Sequence, residues 1–235
     1  GADVILADED HLPGGRLNGE TEEVGGSPGH VWARGVVAEL KSMPNVRVMI
    51  RTTVIGAYDG GTYGALERVG LHVAGPAKDL PRECFWRIVA RRAILASGAH
   101  ERMIAFPMND RPGIMAAGAA RTYLNRWGVA PGQKVAIFAN SDDGRRTALD
   151  FAAAGVQVAA LIDVRDDAAA AGDWPVHAGA QVVDTRGRRG LREITLRTAS
   201  GAIERVEADC LAVSGGWNPA LHLTCHMNAR PAWRD

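Results

Sequence analysis

Three consecutive carboxylates, Asp8, Glu9 and Asp10, follow directly on the apolar run Val4-Ile5-Leu6, and the pair Gly14-Gly15 with Arg16 comes just behind them. A carboxylate at the carboxyl end of a strand can accept both hydroxyl hydrogens of an adenosine ribose. It also repels a 2′-phosphate, so NAD or FAD is expected there over NADP. Gly14 and Gly15 let main chain approach a ligand with no Cβ in the way, and Arg16 can neutralise a pyrophosphate. On these residues alone, a solvated acidic turn is an equal reading. The G-x-G-x-x-G turn that cradles a pyrophosphate would have to come before Asp3, with a helix between. The sequence has no initiating Met and opens on an apolar strand, so a piece of a longer protein is expected.

A second strand-turn-helix setting lies at Ala139 to Gly144, where Asp142 and Asp143 stand in place of phosphate-binding glycines. Negative charge at a helix start suits capping and opposes phosphate, which favours a structural role. Ser97-Gly98 and Ser214-Gly215-Gly216 each end an apolar run and permit close backbone approach, though ordinary strand-to-loop turns explain them nearly as well. His222 and His226 have i, i+4 spacing, but no Glu base or third ligand accompanies them, so packing is expected and a metal is not. Asp110 and Arg111 read as a structural ion pair. Cys84, Cys210 and Cys225 form no Cys-x-x-Cys and are expected to be buried free thiols.

The elements that must position these groups follow from periodicity. Asp3 to Ala7 reads as a buried strand, His30 to Met43 as a helix stopped by Pro44-Asn45, and Val46 to Ile50 as the strand after it. Between Thr52 and Arg91, β-rich stretches at 53–58, 62–73 and 85–89 are separated by Gly-Gly and Pro turns, an antiparallel excursion. Ala93 to Ala96 reads as a short strand and Ile114 to Arg126 as a helix. A βαβ unit follows: strand Lys134 to Ala139, helix to Ala154, strand Val156 to Ile162. Four strands, at 181–184, 191–197, 203–206 and 210–213, complete the chain.

With 235 residues, 46% of them hydrophobic, the chain can bury one large core or two small ones. Lys plus Arg and Asp plus Glu are 27 each, so charge points to neither nucleic acid nor an anionic membrane. No apolar run nears the roughly 20 residues of a membrane span, and no secretory signal pattern is present; a cytoplasmic location is expected.

Ordered landmarks then run nearly the length of the chain. They are Ala7-Asp8-Glu9 with Gly14-Gly15, Ile94-Leu95-Ala96-Ser97-Gly98-Ala99, Asp110-Arg111-Pro112-Gly113-Ile114-Met115, Thr122-Tyr123-Leu124-Asn125-Arg126, and Val213-Ser214-Gly215-Gly216-Trp217-Asn218-Pro219. In order and spacing they resemble the alpha-subunit family of heterotetrameric sarcosine oxidases. Related amine and opine oxidase subunits and the hydrogen cyanide synthase flavoprotein share the plan. The resemblance implies NAD bound noncovalently in the first dinucleotide fold, with FAD and covalent FMN elsewhere in a complex of alpha, beta, gamma and delta subunits. It implies oxidative demethylation of sarcosine to glycine with hydrogen peroxide formed and tetrahydrofolate taking the one-carbon unit, at a site outside this chain. No catalytic residue is therefore expected here, and the chain alone is expected to be inactive. Carried over residue by residue, the resemblance makes Asp8 and Glu9 ribose ligands, places Asp10 and Arg16 beside them, and makes Val54 an adenine-side contact. Asp10 and Arg16 depart from relatives that carry a basic and a small hydroxyl residue there.

The fold expected is α/β: a three-layer FAD/NAD(P)-binding-like fold of the two-dinucleotide-domain type, cut at its N-terminus, with a smaller Rossmann-like domain inserted. Its domains are expected at 1–130, 131–209 and, returning to the first, 210–235. The cofactor-binding residues expected are Asp8, Glu9, Asp10, Gly14, Gly15, Arg16, Val54, Ser97, Gly98, Ser214 and Gly215. A non-catalytic scaffold, or an FAD-binding subunit of a related amine or opine oxidase, is the competing reading.

Overall fold

The structure, a computed structural model, describes residues 1–170 and 172–232. In chain order its elements are β1 (Val4–Ala7), β2 (Glu23–Val24), β3 (Ser27–Pro28), α1 (Gly29–Ser42), β4 (Val46–Met49), β5 (Thr52–Tyr58), β6 (Thr62–Glu67) and β7 (Cys84–Val89). There follow β8 (Ala99–Glu101), β9 (Ile114–Ala116), α2 (Ala117–Trp127), β10 (Lys134–Ala139), α3 (Asp142–Ala153), β11 (Gln157–Asp163) and β12 (Val176–His177). The last are β13 (Gln181–Arg186), β14 (Glu193–Arg197), β15 (Ile203–Glu207), β16 (Cys210–Ser214), β17 (Trp217–Pro219) and α4 (His222–His226). These fall into two compact units. One holds Gly1–Leu17, Glu22–Gly98 and the chain from Pro219; the other holds Asn18–Thr21 and Ala99–Asn218.

In the first unit β1 and β4 pair in parallel, in register from Val4 with Val46 to Ala7 with Met49. The link between them is α1, which Pro44-Asn45 ends; the Met43 N–H bonds back to Leu40 O at 3.2 Å. The expected excursion is an antiparallel sheet in the order β5-β6-β7. Its second strand stops at Glu67, short of Val73. The expected strand Ala93 to Ala96 does not form: Ile94 is 94% exposed, and a strand needs a neighbouring ladder to satisfy its backbone.

The second unit is a three-layer stack. Its middle layer is a five-stranded parallel sheet, β12-β11-β10-β16-β9. Strand alternation divides the core cleanly. Val135, Ile137, Ala139, Leu161, Cys210 and Ala212 face α2 and α3, where they meet Leu124, Ala148 and Phe151. Ala136, Phe138, Ile162, Leu211 and Val213 face the antiparallel sheet β13-β14-β15 and its Val182, Ile194 and Leu196. The expected helix from Ile114 begins three residues late, because Ile114, Met115 and Ala116 pair with β16 as a parallel strand. Gly128 closes α2 in the left-handed conformation, its N–H bonded to Leu124 O.

The boundaries expected at 131 and 209 fall inside this second unit. They fail to mark its edges because β9 and α2, upstream of 131, and β16, downstream of 209, belong to one sheet core. Residues 233–235 of the expected returning segment lie outside the described residues.

Segment Asn18–Thr21 is tied down by a buried polar cluster. Arg121 Nε donates to Asp150 Oδ2 at 2.8 Å, Asn125 Nδ2 donates to Asp150 Oδ2 and to Gly19 O, and Thr21 Oγ donates to Asp150 Oδ1. Among the described residues, no helix is long and apolar enough to cross a membrane.

Candidate dinucleotide site

Because β1 and β4 run parallel and in register, the residues leaving both strands emerge at one edge. The ladder continues past the strands: Asp8 N–H bonds Met49 O at 2.9 Å, Thr52 N–H bonds Asp8 O at 2.8 Å, and Arg51 N–H bonds Asp10 O at 2.9 Å. The three carboxylates therefore stand beside the turn from β4 into β5, the strand that carries Val54.

They are not equivalent. Asp8 Oδ1 accepts the Asp10 N–H at 2.8 Å. Asp10 Oδ1 accepts the N–H groups of His11 and Leu12 and pairs with His11 Nδ1 at 2.7 Å. Both hold the turn together, as Asp side chains do after a strand. Glu9 is exposed, and its carboxylate makes no hydrogen bond among the described residues, so it remains open to a ligand.

Glu9 and Asp10 line an open cleft of about 510 Å³ with His11, Arg51, Arg68 and His72. Arg68 Nη2 donates to Glu9 O at 2.8 Å and its N–H bonds Arg51 O, which anchors one guanidinium at the rim. Arg51 sits at φ 51, in the left-handed region that costs a non-glycine residue free energy. The cleft thus sets two permanent cations beside a carboxylate that has no hydrogen-bond partner among the described residues. That pairing suits a ligand with hydroxyl donors and a delocalised or anionic portion. Arg51, Arg68, His11 and His72 are not singled out by the sequence pattern. A signal for Arg51 exists nonetheless: a residue just past the second of two parallel strands must land beside the residues just past the first.

Of the other expected site residues, none lines the cleft. Gly14 and Gly15 adopt φ 139 and 52, and nothing lies within 4 Å of a Cβ built on Gly15. Arg16 follows in a short 3-10 helix, Gly15–Asn18. Val54 is half-buried opposite Ala65. Ser97 Oγ donates to Ala220 O at 2.6 Å, and Gly98 O accepts the Ala220 N–H, so this turn is stitched to the chain before α4. Ser214 and Gly215 belong to the second unit, where the space for a Cβ on Gly215 is taken by Arg102 O, 2.6 Å away.

The Asp110–Arg111 pair does not form. Arg111 instead donates to Thr185 and to Gly187 O, because the β13 end presents carbonyl oxygens within reach of its planar fork. His226 Nδ1 accepts the Ala57 N–H at 3.4 Å from the short helix α4. Among the described residues, no group of three or more His, Cys, Asp or Glu is placed to hold a metal. All three cysteines are free, but only Cys210 is buried as expected: Cys84 is partly buried, and Cys225 is exposed on the short helix α4.

No protein-family model matches the chain. Individual relatives do. The sarcosine oxidase alpha subunit of Rhizobium meliloti (strain 1021) is 47% identical over 235 residues, 99% of this chain and 24% of that protein. The sarcosine oxidase alpha subunit of Corynebacterium sp. (strain P-1) is 38% identical over 99% of this chain and 26% of its own length. The chain thus spans about a quarter of the curated relatives it matches. Agrobacterium tumefaciens (strain Ach5) has an opine oxidase subunit that is 31% identical over 58% of this chain and 27% of its own length. Among solved structures, the L-proline dehydrogenase of P. horikoshii superposes with a TM-score of 0.72 at 19% identity, over 98% of this chain and 40% of that one. The NAD-dependent persulfide reductase of A. fulgidus gives 0.64 at 15% identity, over 95% and 42%. These likenesses establish the α/β fold of FAD- and NAD-binding oxidoreductases. By sequence, over the whole stretch it spans, the chain belongs to the family of sarcosine oxidase alpha subunits.

Proposed function

We propose that this chain is the NAD-binding portion of a sarcosine oxidase alpha subunit, and that the adenosine end of NAD lies at the carboxyl edge of β1 and β4. The observation that carries the reading is Glu9, a carboxylate with no described partner at the end of a parallel strand, beside a cleft rimmed by Arg51 and Arg68. Glu9, with the second oxygen of Asp8, accepts the ribose hydroxyls. Arg68, anchored on Glu9 O, and Arg51 offer guanidinium faces and charge to the adenine and phosphate portions. Asp10 holds the turn through Oδ1 and lines the same cleft.

In this reading the protein is a subunit of an oxidoreductase with beta, gamma and delta partners, which carries FAD and FMN in addition to NAD. The complex oxidises sarcosine to glycine with hydrogen peroxide formed and tetrahydrofolate accepting the one-carbon unit, in the cytoplasm. No residue of this chain is assigned to breaking the substrate C–H bond. What these residues do is bind and orient a dinucleotide. Gly14, Gly15, Arg16, Val54, Ser97 and Gly98 lie outside the cleft lining, and their proposed contacts are to the rest of the dinucleotide.

The test is calorimetric titration of NAD, and separately FAD, into the full-length protein and its Asp8→Ala/Glu9→Ala variant. NAD binding that the double variant weakens by about 100-fold or more supports the site, since two charge-assisted hydrogen-bonding groups are lost. NAD binding unchanged in the variant refutes it. The competing reading, a scaffold that binds no cofactor, draws on Asp8 and Asp10 already being engaged in their own turn. Absence of heat with either cofactor would establish that reading instead.

A further inference from the structure

In the second unit the parallel strands β10, β11 and β16 end together, and a strand-turn-helix step follows β10. Aligned with G-x-G-x-x-G, the turn reads Ala139-Asn140-Ser141-Asp142-Asp143-Gly144. The last glycine is kept for a packing reason: a Cβ on Gly144 would stand 2.2 Å from the Ala139 Cβ, so only glycine lets α3 pack this closely on β10. The first two glycine positions, which serve the tight turn and the approach of phosphate, hold Ala139 and Ser141.

Each place that would hold part of a dinucleotide is taken by a side chain of the same unit. At the start of α2, the Gly118 N–H donates to Glu101 Oε2 at 2.6 Å, so a carboxylate sits where a helix N-terminus receives an anion. At the start of α3, Asp143 Oδ2 accepts the indole N–H of Trp217. The Trp217 ring also covers α2, its Cη2 being 3.2 Å from where a Cβ of Gly118 would be. One indole therefore spans both helix starts. At the end of β11, Asp163 occupies the place of a ribose-binding acid, yet it is 1% exposed. Arg165 holds it through its main-chain N–H at 2.9 Å, Nε at 3.1 Å and Nη2 at 2.9 Å, while Nη1 reaches Asp142 at 3.0 Å. Finally, Gly215 and Gly216 are zipped to the chain beside Glu101: Gly215 N–H to Arg102 O and Arg102 N–H to Gly216 O, each 2.8 Å.

We infer that this crevice is a dinucleotide site closed by its own residues, with Glu101 and Asp143 at the anion positions, Trp217 across them as a lid, and Arg165 capping the acid of β11. The occupants mimic the groups they exclude: two carboxylates for phosphate oxygens, an aromatic plane for a base, and a guanidinium for the ribose hydroxyls as partner to Asp163. Bad charge at the α3 start is then one part of the exclusion. The contacts of Glu101 with the Gly118 N–H, of Trp217 with Asp143 and of Arg165 with Asp163 are the other, and they can be removed one by one.

The probe is ADP-ribose, titrated calorimetrically into the full-length protein in the Asp8→Ala/Glu9→Ala background, which separates this site from the one proposed in the first unit. Amide shifts of Gly118 and Gly144 report whether binding is at the crevice. The background chain is expected to show neither heat nor shifts there. Adding Trp217→Ala with Asp143→Gly is expected to give saturable binding, at least about tenfold above background, with both glycine amides shifting. Trp217→Ala with Arg165→Ala, which leaves α3 intact, is the second variant should the first unfold in a thermal melt. ADP-ribose shifting Gly118 and Gly144 in the background chain would overturn the closure. Folded variants that still bind nothing would overturn the crevice as a nucleotide site at all.

Discussion

Asp150 is the residue whose removal most sharply tests how the second unit is held together. Its carboxylate is 8% exposed and accepts from Arg121, Asn125 and Thr21 at 2.8 to 2.9 Å. Arg121 is itself 3% exposed. Asp150→Ala leaves that guanidinium buried beside an empty space, which typically costs about 3–5 kcal/mol. Glu20 Oε1 stays 4.0 Å from Arg121 Nη1, so the lower end applies, about 3 kcal/mol, or a shift of more than about a hundredfold in the folding equilibrium. Urea denaturation followed by far-UV circular dichroism measures it as a fall in midpoint at unchanged slope. The paired change Arg121→Met with Asp150→Leu removes both charges, and its stability should return to within about 1 kcal/mol of the parent, because the cost arises from the stranded charge and not from loss of the pair. A loss below about 1 kcal/mol in Asp150→Ala, or a double variant as unstable as the single, would refute the assignment.

Burial, and next to it the charge of Asp209, pushes the Cys210 thiol from 9.0 up to about 12. The folded protein therefore keeps the neutral thiol where the unfolded chain ionises, so its contribution is complete below about pH 9 and lost between about pH 9 and 12, at up to about 1.4 kcal/mol per pH unit. Urea midpoints between about pH 8 and 10.5 should fall along this slope, and Cys210→Ala should lack that component; an identical slope in both chains would refute it. Gly144→Ala forces a Cβ into 2.2 Å contact with Ala139 and should cost about 1–3 kcal/mol, read as a lower melting temperature. A change within about 0.5 kcal/mol would show that α3 can slide to accept it.

Much of the architecture was legible in the chain itself. Short apolar runs marked β10, β11 and β16, and the Pro44-Asn45 stop marked the end of α1, because these signals act within a few residues of their effect. The position of Asp8 and Glu9 at a strand end was also readable, since the carboxylates break off an apolar run, but the residues alone read equally well as a solvated acidic turn. Errors came where a residue's fate depends on distant partners. Ile114 to Ala116 carry a helix-compatible pattern, yet β16, nearly a hundred residues on, makes them a strand. Ala93 to Ala96 look like a strand and find no ladder. The unit boundaries moved from 131 and 209 because strand order in a sheet is not written in local composition.

The division of labour at the two nucleotide-like edges follows from the same physics. Sequence alone determined that carboxylates stand after β1, that Asp142 and Asp143 replace glycines before α3, and that the chain is kin to one oxidase subunit; each depends on residue identity and local order. Only the tertiary structure decided that Asp10 bonds within its own turn, that Arg51 and Arg68 rim the same cleft as Glu9, and that Trp217 bonds Asp143, Glu101 the Gly118 N–H and Arg165 Asp163. Those facts rest on hydrogen bonds that reach up to 74 residues along the chain, and such pairings exist only once the sheets have chosen their neighbours.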